Sequence, residues 1–233
     1  MLINNRYHET IRNINIAPID TVVDYERWNN LFDNPIFINS NLQIIENTLG
    51  NEFNRLDIIE LYRRVDIPAE TKFIAAMIWG YSAPAGVRSD TRGPWKVSQM
   101  FGNGQPENGQ AAIDAIRAVQ INTEEEIITS YNNLSKKKLK HCGPNFFTEH
   151  FYFLCKSQNN NIYPVIFDNR VAQGLFKLLP ESNSLSQIIK VSTNTNADSY
   201  ITYLNLIRTE SEIIGCEMDQ LEYYLFLHAR NNN

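Results

Sequence analysis

Residues 139–172 read LKHCGPNFFTEHFYFLCKSQNNNIYPVIFDNRVA, and this stretch decides the fold. Gly143-Pro144 breaks one helix and opens another, because proline fits the first helical turn, where its missing N–H costs nothing. Phe146, Phe147, Phe151 and Phe153 give the restarted helix an aromatic face that packs the core. A polar loop follows, then the apolar run Val165-Ile166-Phe167 and a lone carboxylate, Asp168, ahead of Asn169 and Arg170. A helix that ends, turns tightly and restarts leaves backbone N–H groups without intrahelical partners at its new N-terminus. Those donors and the helix dipole suit a phosphate. The same geometry also occurs as a plain connection in a helical bundle. Asp168 is placed to cap the next helix. A carboxylate shielded by apolar neighbours can also carry a raised pKa and serve as a general base, or stabilise a developing cation.

Outward from this stretch the periodicity is helical. The spacing predicts a short helix within 1–15 with Tyr7, Ile11 and Ile14 on one face. A second is capped by Asp20 and runs through Trp28, Leu31 and Phe32 until Pro35 interrupts it. A third covers Asn39 to Gly50, and a fourth runs from Arg55 to Val65 with Leu56, Ile59 and Val65 as apolar positions. Pro68 opens PAETKFIAAMIWG, which Gly80 ends. Residues 80–109, rich in glycine and proline, read as a long loop or a loop with one short helix. Gln110 to Gln120 is helical, and Thr123 with Glu126 forms a capping-box start. Residues 145–155, 168–179, Ser199 to Ile214 and Met218 to Arg230 complete the set, with 162–167 extended or leading into the helix after it. Strand signals are few, so the expected class is all-α.

The 233 residues, 43% hydrophobic and 20% charged, suit one large domain or two small lobes. No run reaches the ~18 apolar residues of a membrane helix, and the polar start MLINNRYHETIRN lacks a signal-peptide core; a cytoplasmic protein is expected. The net charge of −5 counts against a nonspecific nucleic-acid binder but leaves room for a local basic patch. Lys136, Lys137, Lys138 and Lys140, beside His141, form one directly before the Gly143-Pro144 break; a solvated helix end has the same composition. Cys142, Cys155 and Cys216 lack CxxC spacing, which argues against disulfide, zinc and iron–sulfur scaffolds. The four histidines show no HExxH pattern, and no phosphate-binding GxxxxGK[ST] occurs. No metal and no cofactor are expected.

The wording GPNFFTEHFYFL followed by PVIFDNRVAQGL resembles the helix-hairpin-helix DNA glycosylase superfamily, and within it the bacterial proteins with an 8-oxoguanine DNA glycosylase fold. IWGYSAPAG is similar to that family's tryptophan–glycine segment. The resemblance covers roughly residues 70–230 by element order, and its specific motifs cover 139–172. It implies an all-α, two-lobed fold with the active site in the inter-lobe cleft, over one unit of 1–233 whose lobes are 1–75 plus 180–233, and 76–179 with the hairpin. It further implies excision of a damaged or modified base from double-stranded DNA by a monomeric enzyme, in repair or in antiphage defence. Asp168 then corresponds to the catalytic aspartate.

Bifunctional members place a lysine nucleophile on the second hairpin helix. Alignment on the hairpin glycine puts Asn145 there, and alignment on the FFT wording puts Glu149 there. Neither is a lysine, so a monofunctional hydrolysis assisted by Asp168 is expected. Glu149, if it faces the cleft, pairs with Asp168 so that one acid holds a proton for the leaving base; otherwise it is an exposed helix residue. Lys138, Lys140, His141, Gly143, Asn145, Thr148 and Arg170 are the expected DNA contacts, with Arg88, Arg92 and Lys96 as further candidates. Trp79 and Tyr81, with Trp95 near them in sequence, are candidates for holding a flipped base. Tyr223 and Tyr224 could line a pocket or pack the core. The alternative is a catalytically silent DNA- or protein-binding module that keeps the fold.

Overall fold

The computed structural model describes residues 3–16, 21–30, 35–81, 93–102, 106–136, 139, 141–158, 164–178 and 195–230. In chain order these form a 3-10 turn (Asn5–Tyr7), α1 (His8–Arg12), β1 (Thr21–Val22), α2 (Tyr25–Asn30), α3 (Pro35–Leu49), β2 (Glu52–Phe53), α4 (Arg55–Arg63), α5 (Ala69–Tyr81), α6 (Gly93–Met100), α7 (Pro106–Arg117), α8 (Glu124–Lys136), α9 (Pro144–Ser157), α10 (Asn169–Leu178), α11 (Ala197–Ile214) and α12 (Met218–Arg230). Among the described residues the protein is all-α apart from a two-stranded antiparallel ribbon that pairs Thr21 with Phe53 and Val22 with Glu52. No helix among the described residues is long and apolar enough to cross a membrane.

The chain packs as two compact units, Pro18–Tyr163 and a second made of Met1–Ala17 with Pro164–Asn233. In the first, α5 is the central post. Phe73 through Ile78 are all buried, as expected of a helix that is apolar all round, and α3, α4, α6, α7 and α9 pack on it. Its start carries a buried acid, Glu70, on the favourable end of the dipole. Arg117 of α7 grips that acid at two points, Nε donating to Oε2 at 3.0 Å and Nη2 to Oε1.

Several local expectations are corrected here. The helix expected from Asp20 starts at Tyr25, where the Arg27 N–H donates to Asp24 Oδ1 at 3.0 Å, and the residues before it form β1. Pro35 begins α3, upstream of the expected Asn39, and Leu31 and Phe32 lie outside the described residues. In α4 the capping box of Asn54 and Asp57 sets the start, and the buried face is Ile58, Ile59, Leu61 and Tyr62. Leu56 is 54% exposed and Val65, beyond the helix end, is fully exposed. The expected lobes placed 18–75 with the C-terminal helices. By compactness, residues 18–75 group with 76–163, since α3 and α4 both pack on α5 and α4 also packs on α9; this division does not test the lobes of the glycosylase-like unit.

In the second unit α10 and α12 lie in close contact. The reason is Gly174: a Cβ built there would lie 2.0 Å from the Leu225 carbonyl oxygen. The N-terminal arm is tied in by polar bonds. Ile3 N–H donates to Glu210 Oε2 at 3.0 Å, and Arg12 Nη1 donates to the Ile214 carbonyl at 3.2 Å. α11 ends at Gly215 with φ of 76°, whose N–H returns to Ser211. Glycine adopts this left-handed conformation without steric cost.

Candidate active site

In the first unit a tight turn precedes α9. His141 has φ of 62°, the one positive value on a non-glycine residue among those described. The Cys142 N–H closes onto the Leu139 carbonyl at 3.0 Å. Gly143 is the extended N-cap, which as a glycine offers no side-chain cap, and Pro144 opens the helix. Phe146 and Phe147 return their N–H groups to the Gly143 carbonyl at 2.9 and 3.2 Å. His141 is exposed, and Gly143 and Asn145 are half-buried. Thr148 is fully buried and its hydroxyl donates to the Pro144 carbonyl at 2.5 Å, so it faces the helix and not solvent. Lys138 and Lys140 lie outside the described residues, as do Arg88 and Arg92.

Tyr81 supports this turn. Its hydroxyl donates to the His141 carbonyl at 3.1 Å, its ring stacks on Phe146 at 4.1 Å, and Lys96 Nζ lies 4.8 Å from the ring centre. Trp95, 44% exposed, sits with its ring 4.8 Å from the His141 imidazole. Sequence proximity to the glycine-rich stretch suggested Trp95, but its contact with His141 comes only from the folding of α6. Trp79 is half-buried, edge-on to Phe153 at 5.3 Å, with the Arg55 guanidinium 5.3 Å from its ring.

Glu149 is not an exposed helix residue: it is 7% exposed. Its carboxylate lies over the α-carbon of Gly80, so close that a Cβ there would be 2.3 Å from Oε2. Its charge raises the pKa of the buried Tyr62 hydroxyl and the Cys142 thiol, in both cases after burial itself. Next to it on α9, His150 shares a 2.7 Å hydrogen bond with the Tyr62 hydroxyl. Burial pulls the imidazole down to about 3, with Lys72 contributing, so it is neutral at physiological pH. The structure thus brings Glu149, Tyr62, Cys142 and Gly80 together inside the first unit.

Asp168 belongs to the second unit. It is half-buried at the start of α10. Its carbonyl accepts the Ala172 N–H at 3.0 Å and its Oδ1 accepts the Arg170 N–H at 2.5 Å. Burial raises its pKa, opposed by the Arg170 N–H bond and the Arg170 charge. Arg170 itself is exposed, with its guanidinium 5.4 Å from the Phe226 ring. The stretch before the acid, Pro164 to Phe167, is buried. Two tyrosines hold it from α11: Tyr200 donates to the Val165 carbonyl and Tyr203 to the Ile166 carbonyl, each at 2.9 Å. The sequence reading passed over both. Their spacing in YITY, three residues apart on one helical face, was the available signal. Tyr224 is half-buried and stacked on His228 at 5.8 Å.

All three cysteines are free, and no cluster of metal-ligating side chains occurs among the described residues. An all-α chain with a proline-started helix after a tight turn, and an isolated acid at the head of a later helix, has a glycosylase-like fold. The chain belongs to the family described as "Putative 8-oxoguanine DNA glycosylase OGG-like protein", whose model matches residues 20–226. That match reaches upstream of the resemblance read from the sequence and takes in α2 to α4. Neither the curated proteins nor the solved structures gave a match.

Proposed function

We propose that this protein is a monofunctional DNA N-glycosylase that flips a damaged or modified base out of duplex DNA and hydrolyses its glycosidic bond with Asp168. The family description makes 8-oxoguanine the first base to test, and modified phage DNA is the second source of substrates. One observation carries the reading: the carboxylate at the head of α10 is fixed by its own helix while burial raises its pKa. An acid so placed can take a proton from an attacking water or stabilise the cationic sugar of the transition state.

The turn before α9 supplies the DNA contact in this reading. Its uncapped helix start suits a phosphate, and exposed His141 and Trp95 flank it. Tyr81 holds this turn through the His141 carbonyl. Base flipping costs a few kcal/mol of unstacking, which contacts to the DNA must offset. A lysine nucleophile has no place in the scheme, because both positions that could hold one, Asn145 and Glu149, are occupied otherwise.

Duplexes carrying 8-oxoguanine, other oxidised bases or phage-type modified bases are incubated with wild type and with Asp168→Asn. The expected outcome is free base and an alkali-labile abasic site from wild type, a loss of about a thousandfold or more in Asp168→Asn, and no adduct on borohydride treatment. Equal excision by both proteins would remove Asp168 from the chemistry. A borohydride-trapped adduct would restore an amine nucleophile. Tight duplex binding with no base released from any substrate would favour the silent binding module.

A further inference from the structure

We propose that Tyr200 and Tyr203 are positioning residues for Asp168, clamping two consecutive carbonyls of the stretch that carries the acid. This rests on reading Asp168 as the catalytic group. The stretch Pro164 to Asp168 forms no helix or strand, yet Val165, Ile166 and Phe167 are buried. Buried carbonyls need donors. A strand would take them from a neighbouring strand; here two phenols of α11 supply them. Each phenol is a rigid rod of fixed length with two torsions. The two bonds, from residues three apart on one helix to adjacent residues of the stretch, fix both its position and its register. Phe167, immediately before the acid, adds a third constraint. Its ring lies 4.7 Å from that of Tyr203, nearly parallel, and 5.4 Å from that of Tyr200. On the other side, the Arg170 N–H holds Oδ1. The acid is therefore held from before and after along the chain.

The donors are also held in their donating form. Burial pushes the Tyr203 phenol well above its ordinary pKa, and Glu222, Tyr200 and Asp168 add to the effect. Glu222, on α12, is itself buried. Tyr203 therefore keeps its proton, and its bond to Ile166, wherever the enzyme works. Among the described residues, the titratable and charged groups that act on this assembly are Arg170 on α10, Tyr200 and Tyr203 on α11, and Glu222 on α12.

The test uses the full chain as wild type, Tyr200→Phe, Tyr203→Phe, Asp168→Asn and the double variant Tyr203→Phe/Asp168→Asn. Three quantities are measured: single-turnover excision from a duplex with 8-oxoguanine opposite cytosine, the Asp168 carboxyl titration by NMR, and thermal unfolding. Positioning predicts that each phenylalanine variant excises about tenfold more slowly at unchanged duplex affinity. It also predicts that the carboxyl midpoint falls toward the ordinary carboxylate range as water reaches a loosened acid. The double variant is no slower than Asp168→Asn. A role confined to stability would lower the melting temperature and leave rate and midpoint where they were. Wild-type rate and midpoint in both phenylalanine variants, with Asp168→Asn inactive, would overturn the proposal and leave the reading of Asp168 standing. Full activity in Asp168→Asn would sink that reading and the proposal with it. If wild type is silent on this duplex, the titration decides: a midpoint unmoved in both variants overturns the positioning role.

Discussion

Replacing Gly174 by alanine tests the packing that seats the acid. The added Cβ would lie 2.0 Å from the Leu225 carbonyl oxygen, 2.7 Å from its carbon and 3.0 Å from its α-carbon, where ordinary contact begins at 3.4 Å. All three atoms are backbone of α12, so no side chain can swing away. The helices must separate by about 1.4 Å, the shortfall at the oxygen. A radial gap of about 0.5–1 Å already forfeits a quarter to a half of the dispersion energy of the facing atoms. The two helices carry Val171, Leu175, Leu221 and Leu225, all essentially fully buried. Overpacking usually costs about 1–3 kcal/mol, and a backbone collision belongs at the top of that range, about 3 kcal/mol. The melting midpoint should fall by about 10 °C, read by circular dichroism. Because α10 carries Asp168 at its head, a displacement of this size should also slow excision by about a hundredfold. Gly215→Ala is the control: nothing lies within 4 Å of its Cβ position and only its φ of 76° resists, so it should cost about 1–2 kcal/mol and leave the rate alone. A Gly174→Ala protein melting within about a degree of wild type would refute the close approach of the two helices.

The pKa of Asp168 is raised by burial, so its ionisation, and with it excision, should rise with pH along an acid limb lying above the ordinary carboxylate range; a limb at or below that range would contradict the assignment. His150 is held at about 3 in the fold against 6.5 when free. The unfolded chain therefore binds the proton first, and stability should be fully present above pH 6.5 and decline as pH falls toward 3, with a slope approaching about 1.4 kcal/mol per unit. Urea midpoints across that window measure it, and His150→Phe should flatten the profile. Gly80→Ala drives a methyl into the Glu149 carboxylate, and the same change in a Glu149→Ala background should cost about 1–2 kcal/mol less; equal costs in both backgrounds would remove the contact.

What the sequence made legible was local. Pro144 after Gly143 marked the start of α9, and the Thr123 and Glu126 pattern marked that of α8, where the Glu126 N–H does bond Thr123 Oγ1 at 3.1 Å. Asp168 stood out because a charge follows a buried run. The ribbon was invisible, because two-residue strands show no alternation and their pairing joins residues distant in the chain. The buried face of α4 was misread because apolar spacing was extended to Val65, beyond the point where the helix ends. Glu149 was undecidable: its surroundings depend on Gly80, whose only contribution is a missing side chain. Tyr200 and Tyr203 announce themselves as aromatics on one face, but their hydroxyl partners lie on a stretch that periodicity does not describe.

The unit that holds Asp168 is drawn from both sides of 18–163, and this sets an order of events on the ribosome. Domains tend to fold as they emerge, so the intervening helices, with the turn before α9, can be finished while α11 and α12 are still unmade. Until α11 and α12 are out, the acid has neither its tyrosine clamps nor the helix against which Gly174 packs α10. On the reading of Asp168 as the catalytic acid, a nascent chain that has yet to make α11 and α12 would carry the turn before α9 without a seated acid, and excision would wait for those two helices.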